Sequence, residues 1–199
     1  MGPSGPQGRP GALRRLPDAD KAGAAPSAQG QPKPEPPKTK AEILDDLFAR
    51  LSKSSDSDEA KGIARAIQRL WMRSGSDTAD LLMSRAVTAL GAEKYDLAEQ
   101  VLGAVVAIDP DWAEGWDKRA TARFFAEDYA GAMEDISHVL AIEPRHFGAL
   151  AGMGFILEKS GMDKEALQVF RKTLEIYPEQ ESIRKIVDRL TLKIEGQDL

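Results

Sequence analysis

The segment AIDPDWAEGWDKRA at residues 107–120 is followed 34 positions later by AIEPRHFGALAGMG at residues 141–154. Its proline, its small residues and its bulky apolar residues recur with the same period through residues 79–180. The recurring positions are Pro110, Pro144 and Pro178; Ala98, Ala132 and Ala166; Ala86, Ala120 and Gly154; and Leu82, Trp116 and Leu150. A fixed period of this size is typical of a solenoid of stacked helical hairpins. The chain is therefore predicted to be all-α over this stretch.

Three consecutive units, 79–112, 113–146 and 147–180, each contain two runs of helical apolar periodicity with a short polar break between them. The breaks are residues 91–94, 126–128 and 160–162. Each break predicts a turn between two antiparallel helices. The proline of each unit ends the second helix, because proline has no backbone N–H and restricts the residue before it. The recurring small residues are predicted to lie where the two helices cross closely.

The third unit carries a full set of motif residues: Leu150, Met153-Gly154, Leu157, Ala166, Phe170 and Pro178. The other two units repeat the pattern with Trp116, Ala120, Ala132, Ile136 and Pro144, and with Leu82, Ala86, Ala98, Leu102 and Pro110. This pattern resembles the tetratricopeptide repeat, and the chain resembles a bacterial member of that family. The resemblance implies a right-handed α-α superhelix, with a concave groove lined by the first helix of each unit.

Two arginines depart from the family pattern, at positions where an apolar residue is usual. Arg119 lies 16 residues before Asp135, a separation that places one side chain on each helix of the hairpin, facing the other. The third unit has Met153 and Val169 at the equivalent places. We therefore predict an Arg119–Asp135 ion pair inside the second hairpin. The other arginine, Arg85, faces a valine and is expected to reach water.

The segments that flank the repeats have different predicted roles. Residues 1–40 hold nine of the twelve prolines and show no apolar periodicity, so they are predicted to be a disordered tail. Residues 41–78 show two apolar stripes and are interpreted as a degenerate helical hairpin, with a capping hairpin as the alternative. Residues 181–199 form an amphipathic helix that is predicted to cap the last apolar face. A docking or dimerising surface is the alternative role of that helix.

Composition argues against a catalytic site, a metal site or a cofactor. The chain has no cysteine and only two histidines, His138 and His146. No acidic group has the spacing of a calcium loop, and no glycine-rich loop precedes a helix. The net charge of −5 divides into +4 over the first 40 residues and −9 over the rest, which disfavours nucleic-acid binding by the folded part. No catalytic residue, metal or cofactor is therefore predicted.

The sequence contains no apolar run of the length that a membrane span requires, and its start lacks the apolar core of a signal peptide. It therefore predicts a cytoplasmic protein without a membrane span. A periplasmic location is the alternative, because a start codon placed too far downstream would hide an export signal.

The resemblance makes the concave groove the predicted binding site. The predicted partner contacts are Met83, Val87, Leu90, Asp117, Lys118, Thr121, Phe124, Phe125 and Phe155. They combine apolar and acidic character, so a protein or peptide partner with apolar and basic residues is expected. One subgroup of the family binds C-terminal carboxylates through Lys and Asn side chains, and this chain has Met83, Val87, Gly148 and Gly152 where those are expected.

We predict a non-catalytic adaptor or scaffold. Two alternatives remain open at this point. One is an assembly protein that self-associates weakly through the terminal helix or the tail. The other is a hydrolase or enzyme accessory that uses clustered carboxylates such as Asp117.

Overall fold

The structure, a computed structural model that describes Gly2 and residues 37–197, contains α-helices and no strand within those residues. The helices are α1 (Lys40–Leu51), α2 (Ser57–Trp71), α3 (Asp77–Gly91), α4 (Tyr95–Ile108), α5 (Ala113–Phe125), α6 (Tyr129–Ile142), α7 (Phe147–Lys159), α8 (Asp163–Ile176) and α9 (Glu181–Gln197). The all-α solenoid predicted from the 34-residue period is confirmed. The predicted disordered tail, residues 1–40, falls almost entirely outside the described residues.

The 34-residue period is visible in the backbone of the turns inside the hairpins. Glu93, Glu127 and Gly161 occupy equivalent positions, and their φ angles of 58°, 62° and 75° are all left-handed. Glycine adopts this conformation freely, whereas a glutamate is strained there. The repeat geometry therefore imposes the same turn even where the sequence does not supply a glycine.

Small residues permit the close crossing of the two helices in each hairpin, as predicted. Ala98, Ala132 and Ala166 are fully buried. In the third hairpin, a Cβ atom added to Gly154 would lie 2.6 Å from Cε1 of Phe170, so the ring packs directly on the backbone of α7. A side chain at that position would force the two helices apart.

The predicted ion pair of the second hairpin is confirmed. Arg119 donates from Nη2 to Oδ1 of Asp135 over 2.7 Å and from Nε to Oδ2 over 3.0 Å. Arg123 adds a third contact, from Nη1 to Oδ2 over 3.1 Å. The Asp135 side chain is 1% exposed, so this carboxylate is balanced inside the core by two guanidinium groups.

The α1–α2 hairpin packs against the turns that join the later hairpins. Its buried residues form one cluster with Phe147, the first residue of α7, and with Tyr177, which follows α8. The indole N–H of Trp112, just before α5, donates to the carbonyl oxygen of Trp71 over 2.6 Å. The hairpin thus contacts residues from three successive turns. Whether it is a degenerate repeat stays a prediction.

Helix α9 covers the last repeat. Ile183 and Leu190 are buried in a cluster with Ala166 and Phe170 of α8, which is the arrangement predicted for a capping helix. The apolar stripe that was the alternative docking surface is thus largely covered by the chain itself. None of the helices in the described part is long and apolar enough to cross a membrane.

Candidate functional site

A groove lies between α5 and α7, the first helices of the second and third units. It contains a cavity of about 380 Å³ with mainly apolar walls. The lining residues are Asp117, Ala120, Thr121, Phe124, Phe125, Ile136, Gly148, Ala149, Ala151, Gly152, Phe155 and Ile156. The first helices of two consecutive units therefore form the walls, and Ile136 of α6 contributes from the helix behind them.

Two glycines on α7 keep the groove open. A Cβ atom at Gly152 would lie 3.4 Å from Cδ1 of Ile136, which is ordinary contact, and a Cβ at Gly148 would lie 3.3 Å from Cε1 of His146. A longer side chain at either position would have to extend into the cavity. The width of the groove therefore depends on these two glycines.

Aromatic rings form the opposite part of the wall. Phe125 is 55% exposed, yet its ring stacks on Tyr95 with a centroid distance of 5.4 Å. Phe124 contacts both Phe125 and Tyr129 edge to face, at 5.5 and 5.6 Å. Each ring is thus supported on one side by another ring, and Phe125 presents its exposed part to solvent. A surface held in place before binding loses less entropy when a ligand arrives.

The end of the groove at the start of α5 carries a charged cluster. Lys118 Nζ lies 2.6 Å from Oε1 of Glu114 and 2.8 Å from Oδ2 of Asp117. Burial alone raises the pKa of Asp117, but the charges of Lys118 and His146 outweigh it and hold that pKa below its usual value. Burial likewise lowers the pKa of Lys118, and the two carboxylates more than reverse the effect. Asp117 and Lys118 are therefore both ionised near neutral pH.

His146 joins this cluster to the α1–α2 hairpin. Its Nδ1 accepts a hydrogen bond from the backbone N–H of Ala149 over 3.0 Å, so the ring caps α7, and its Nε2 lies 3.3 Å from Oε2 of Glu114. The ring also stacks on Trp71, with centroids 4.1 Å apart and planes inclined by 11°. His146 is 3% exposed. It therefore connects groove, helix cap and hairpin.

Two opposing effects set the pKa of His146. Burial lowers it, whereas the carboxylates of Asp117 and Glu114 raise it, and the net shift is upward. The hydrogen bond from Ala149 favours the neutral ring, but it is one neutral contact against two carboxylates and the face of an indole ring, which also favours a cation. We therefore assign a raised pKa to His146.

Ligand atoms of Glu114, Asp117 and His146 lie within 4.8 Å of one another, a separation that could hold a metal ion. The ammonium group of Lys118 already contacts both carboxylates and supplies the positive charge that an ion would bring. The lowered pKa of Asp117 is also the opposite of what a general acid needs. The arrangement is that of an internally neutralised cluster at one end of the groove.

The structure brings five of the nine predicted contact residues to the cavity: Asp117, Thr121, Phe124, Phe125 and Phe155. Lys118 lies beside it, held by the carboxylates. Val87 is exposed on α3 but does not line the cavity, and Leu90 is partly buried against the core. As contacts with a ligand, these residues stay predictions.

Met83 requires a correction. Its side chain is 2% exposed and packs in the core of the first hairpin with Ala79 and Leu102, so it offers no surface to a ligand. Met83 is the equivalent, in the first unit, of Asp117 in the second. Its side chain is turned inward because a long apolar side chain gains more free energy from burial than from contact with water.

Sequence reasoning missed His146 as a member of the site. His146 follows Pro144 by two residues, but its burial depends on Trp71, 75 residues earlier in the chain. One signal was available. His146 is equivalent to Trp112, and both stand at the N-cap of a groove-lining helix.

These features define the class of protein. No protein-family model matches the chain. A TPR repeat-containing protein of the bacterium Rhizobium etli is 42% identical over 153 residues, which are 77% of this chain and 75% of the relative. The chain therefore belongs to the tetratricopeptide repeat proteins. A small glutamine-rich tetratricopeptide repeat-containing protein of Saccharomyces cerevisiae is 26% identical over 136 residues, or 68% of this chain and 39% of the relative.

Solved structures agree on the fold. The first TPR domain of Spaghetti (RPAP3), bound to the HSP90 peptide SRMEEVD, superposes with a TM-score of 0.58 at 20% identity, over 60% of this chain and 95% of that domain. The Yersinia enterocolitica type III secretion chaperone SycD, in complex with a peptide of the translocator YopD, superposes with a TM-score of 0.57 at 18% identity. The match covers 59% of this chain and 95% of the chaperone chain. Each of these structures matches more than half of this chain and nearly the whole of the solved chain.

Proposed function

We propose that this chain is a protein-interaction adaptor that binds a peptide segment of its partner in the groove between α5 and α7. The observation that carries the proposal is the cavity of about 380 Å³, walled by aromatic rings and kept open by glycines. A volume of this size lies in the range of ligand pockets, about 300–1,000 Å³. Peptide complexes of the related folds RPAP3 and SycD support the same use of this one.

The chemistry of the lining favours an apolar side chain next to a basic one. Asp117 is the one ionisable residue among those that line the cavity, and no lysine or arginine is among them. An apolar side chain would pack on Phe125 and Phe155, and a lysine or arginine would approach Asp117. The acidic HSP90 peptide in the RPAP3 structure carries the opposite charge. We therefore expect a partner different in charge from that peptide.

The test is a selection followed by measurement. Random peptides displayed on phage would be selected on the immobilised full-length chain, and the affinities of enriched peptides would be measured by fluorescence anisotropy. We expect enrichment of an apolar residue near a lysine or arginine. Phe125→Ala should weaken binding about tenfold or more, because an aromatic side chain at the centre of a groove carries a large share of the binding energy.

Matched variants separate the groove from the rest of the surface. Leu192→Ala removes an apolar side chain from α9 that is even more exposed than Phe125, and it should leave the affinity unchanged. Gly152→Leu should fill the cavity and abolish binding, whereas Gly103→Leu, at a helical glycine with no atom near its Cβ position, should not. Peptides that bind Phe125→Ala and Gly152→Leu as tightly as the wild type would overturn the proposal.

A further inference from the structure

A second groove lies on the α1–α2 hairpin, and two of its lining residues, Leu47 and Leu70, also pack against the cluster that contacts the turns. It encloses about 970 Å³. The residues that line it are Ile43, Leu47, Arg65, Ala66, Gln68, Arg69, Leu70, Met72 and Arg73. Both helices therefore contribute to one continuous surface.

The floor of this groove is apolar although the hairpin already has a core. Leu44, Phe48 and Ile67 are buried in the cluster with Phe147. Ile43 is nevertheless 36% exposed, and Leu47 is only partly buried. The hairpin thus leaves apolar side chains partly accessible in this groove. Such a surface on a small hairpin is typical of a docking site.

The rim of the groove is basic. Arg65, Arg69 and Arg73 follow one another at four-residue spacing, and residues 60–76 contain no acidic residue. Most other arginines of the described part are paired with a carboxylate, namely Arg50, Arg119, Arg123, Arg145, Arg184 and Arg189. The three rim arginines form no ion pair within residues 37–197. They are therefore available to an acidic partner.

We propose that this second groove binds an amphipathic helix with acidic residues, contributed by a partner protein. Two antiparallel helices leave a groove into which a third helix packs through its apolar side chains. Arg65 and Arg69 are separated by about 6 Å along the axis of α2, since each residue rises 1.5 Å, and Arg73 follows just after the end of that helix. Glutamates four residues apart on the partner helix have the same separation, so each could form a charge-assisted hydrogen bond with one guanidinium group.

The proposal gives the molecule two sites of different character. The groove between α5 and α7 ends in a cluster whose carboxylates are neutralised by Lys118, and no lysine or arginine lines its cavity, whereas the groove between α1 and α2 has a basic rim. Of these two grooves, the second is therefore the one whose lining offers arginines to an acidic helix. The second site does not depend on the function proposed for the first.

The test uses a synthetic helical peptide of about 20 residues, long enough to hold helical structure when bound. Its leucines lie on one face, and glutamates at four-residue spacing flank them. Binding to the full-length chain would be measured by titration calorimetry. We expect the affinity for the peptide to fall as the salt concentration rises. The double variant Arg65→Glu/Arg69→Glu should bind the peptide about tenfold more weakly, because two rim charges that attract its glutamates are replaced by charges that repel them.

Controls decide between specific and general attraction. Arg85→Glu reverses an exposed arginine on α3 outside both grooves, and Gly152→Leu fills the other groove; both should bind as the wild type does. Ile43→Asp tests the apolar floor and should also weaken binding about tenfold. A peptide with lysine in place of glutamate, and one with the same composition but no apolar face, should not bind. Circular dichroism would confirm that each variant is folded.

Several results would overturn the proposal. Equal weakening by Arg85→Glu would mean that only net charge matters. Binding of the chain to phosphatidylglycerol vesicles, sensitive to Arg69→Glu, without binding of the acidic helix would assign the groove to a membrane surface. A dimer in light scattering that dissociates on Arg69→Glu would assign it to a second copy of the chain. Absence of binding by any acidic amphipathic peptide would remove the site.

Discussion

The second and third hairpins occupy equivalent places in the repeat but hold their helices together by different chemistry. In the α5–α6 hairpin, Arg119 on the first helix meets Asp135 on the second, and Arg123 contacts the same carboxylate. In the α7–α8 hairpin, the positions equivalent to Arg119 and Asp135 are Met153 and Val169. The backbone arrangement is the same, so it does not depend on which chemistry fills these two positions.

The third hairpin compensates by closer packing. Gly154 lets the ring of Phe170 rest on the backbone of α7, whereas the second hairpin has Ala120 and the smaller contact of Ile136 at those places. The comparison shows which positions are tightly constrained. The residue at the helix crossing must be small. The two residues that face each other across the hairpin can be charged or apolar, provided that both change together. A buried ion pair contributes little net stability, because desolvation offsets much of its attraction.

The facing pair gives the largest expected effect. Asp135→Val alone should lower the free energy of unfolding by about 4 kcal/mol, because Arg119 and Arg123 lose a carboxylate that balances them in the core. Adding Arg119→Met reproduces the pair of the third hairpin. The double variant should return to within about 1 kcal/mol of the wild type, since Arg123 keeps its 2.8 Å contact with Glu99. Urea denaturation of the four proteins of this cycle measures both quantities.

A double variant as unstable as Asp135→Val would contradict the comparison. It would mean that the second hairpin requires its ion pair and that the apolar residue pair of the third hairpin cannot replace it. Arg119→Met alone is the internal control. It leaves Asp135 with one guanidinium group and should lie between the wild type and Asp135→Val.

The helix crossing gives a slightly smaller effect. Gly154→Leu should lower the free energy of unfolding by about 3 kcal/mol, because even its Cβ would lie 2.6 Å from the ring of Phe170. Gly103→Leu is the matched control on α4, where no atom lies within 4 Å of the Cβ position. Thermal unfolding should separate the two variants clearly. Equal melting temperatures would show that the crossing of the third hairpin tolerates size, contrary to the comparison.

The contrast between the hairpins could be predicted from the sequence, because it follows from counting equivalent positions. The 34-residue period placed Arg119 opposite Asp135 and Gly154 at a crossing, and the structure confirms both. The period also located the turns, although glutamate stands at two of the three left-handed positions.

The position of the α1–α2 hairpin could not be predicted in this way. Its apolar stripes show that it packs against something, but periodicity does not tell which surface it meets. Its contacts with Phe147 and Tyr177 join parts of the chain that no repeat relates to it. For the same reason, periodicity does not show that His146 packs under Trp71, and its equivalence to Trp112 is the one signal that the sequence offers. Met83 is buried instead of lining the groove, because equivalence within the repeat fixes the position of a residue but not its exposure.

The N-caps of α5 and α7 differ in a way that should make the stability of the third hairpin depend on pH. Helix α7 begins at His146, which accepts a hydrogen bond from Ala149, whereas α5 follows Trp112, whose side chain forms no capping hydrogen bond. Of these two helices, only α7 therefore has a titratable N-cap. Asp117 and Glu114 raise the pKa of His146 in the folded chain. The charged ring cannot accept the hydrogen bond from Ala149, but its attraction to the two carboxylates outweighs that loss, so protonation of the ring stabilises the fold. This contribution is complete below the ordinary pKa of 6.5 and is lost as the pH rises through the raised value.

The free energy of unfolding should thus fall as the pH rises from 6.5, by the smallest of the amounts predicted here. His146→Asn keeps an oxygen that can cap the helix and removes the titration, so its stability should not show this fall. His138→Asn, at an exposed histidine that stacks on Trp116, is the matched control and should follow the wild type. Urea denaturation at a series of pH values measures all three. A stability that rises with pH in the wild type, and not in His146→Asn, would mean that the hydrogen bond from Ala149 outweighs the two carboxylates and that His146 caps α7 as a neutral ring.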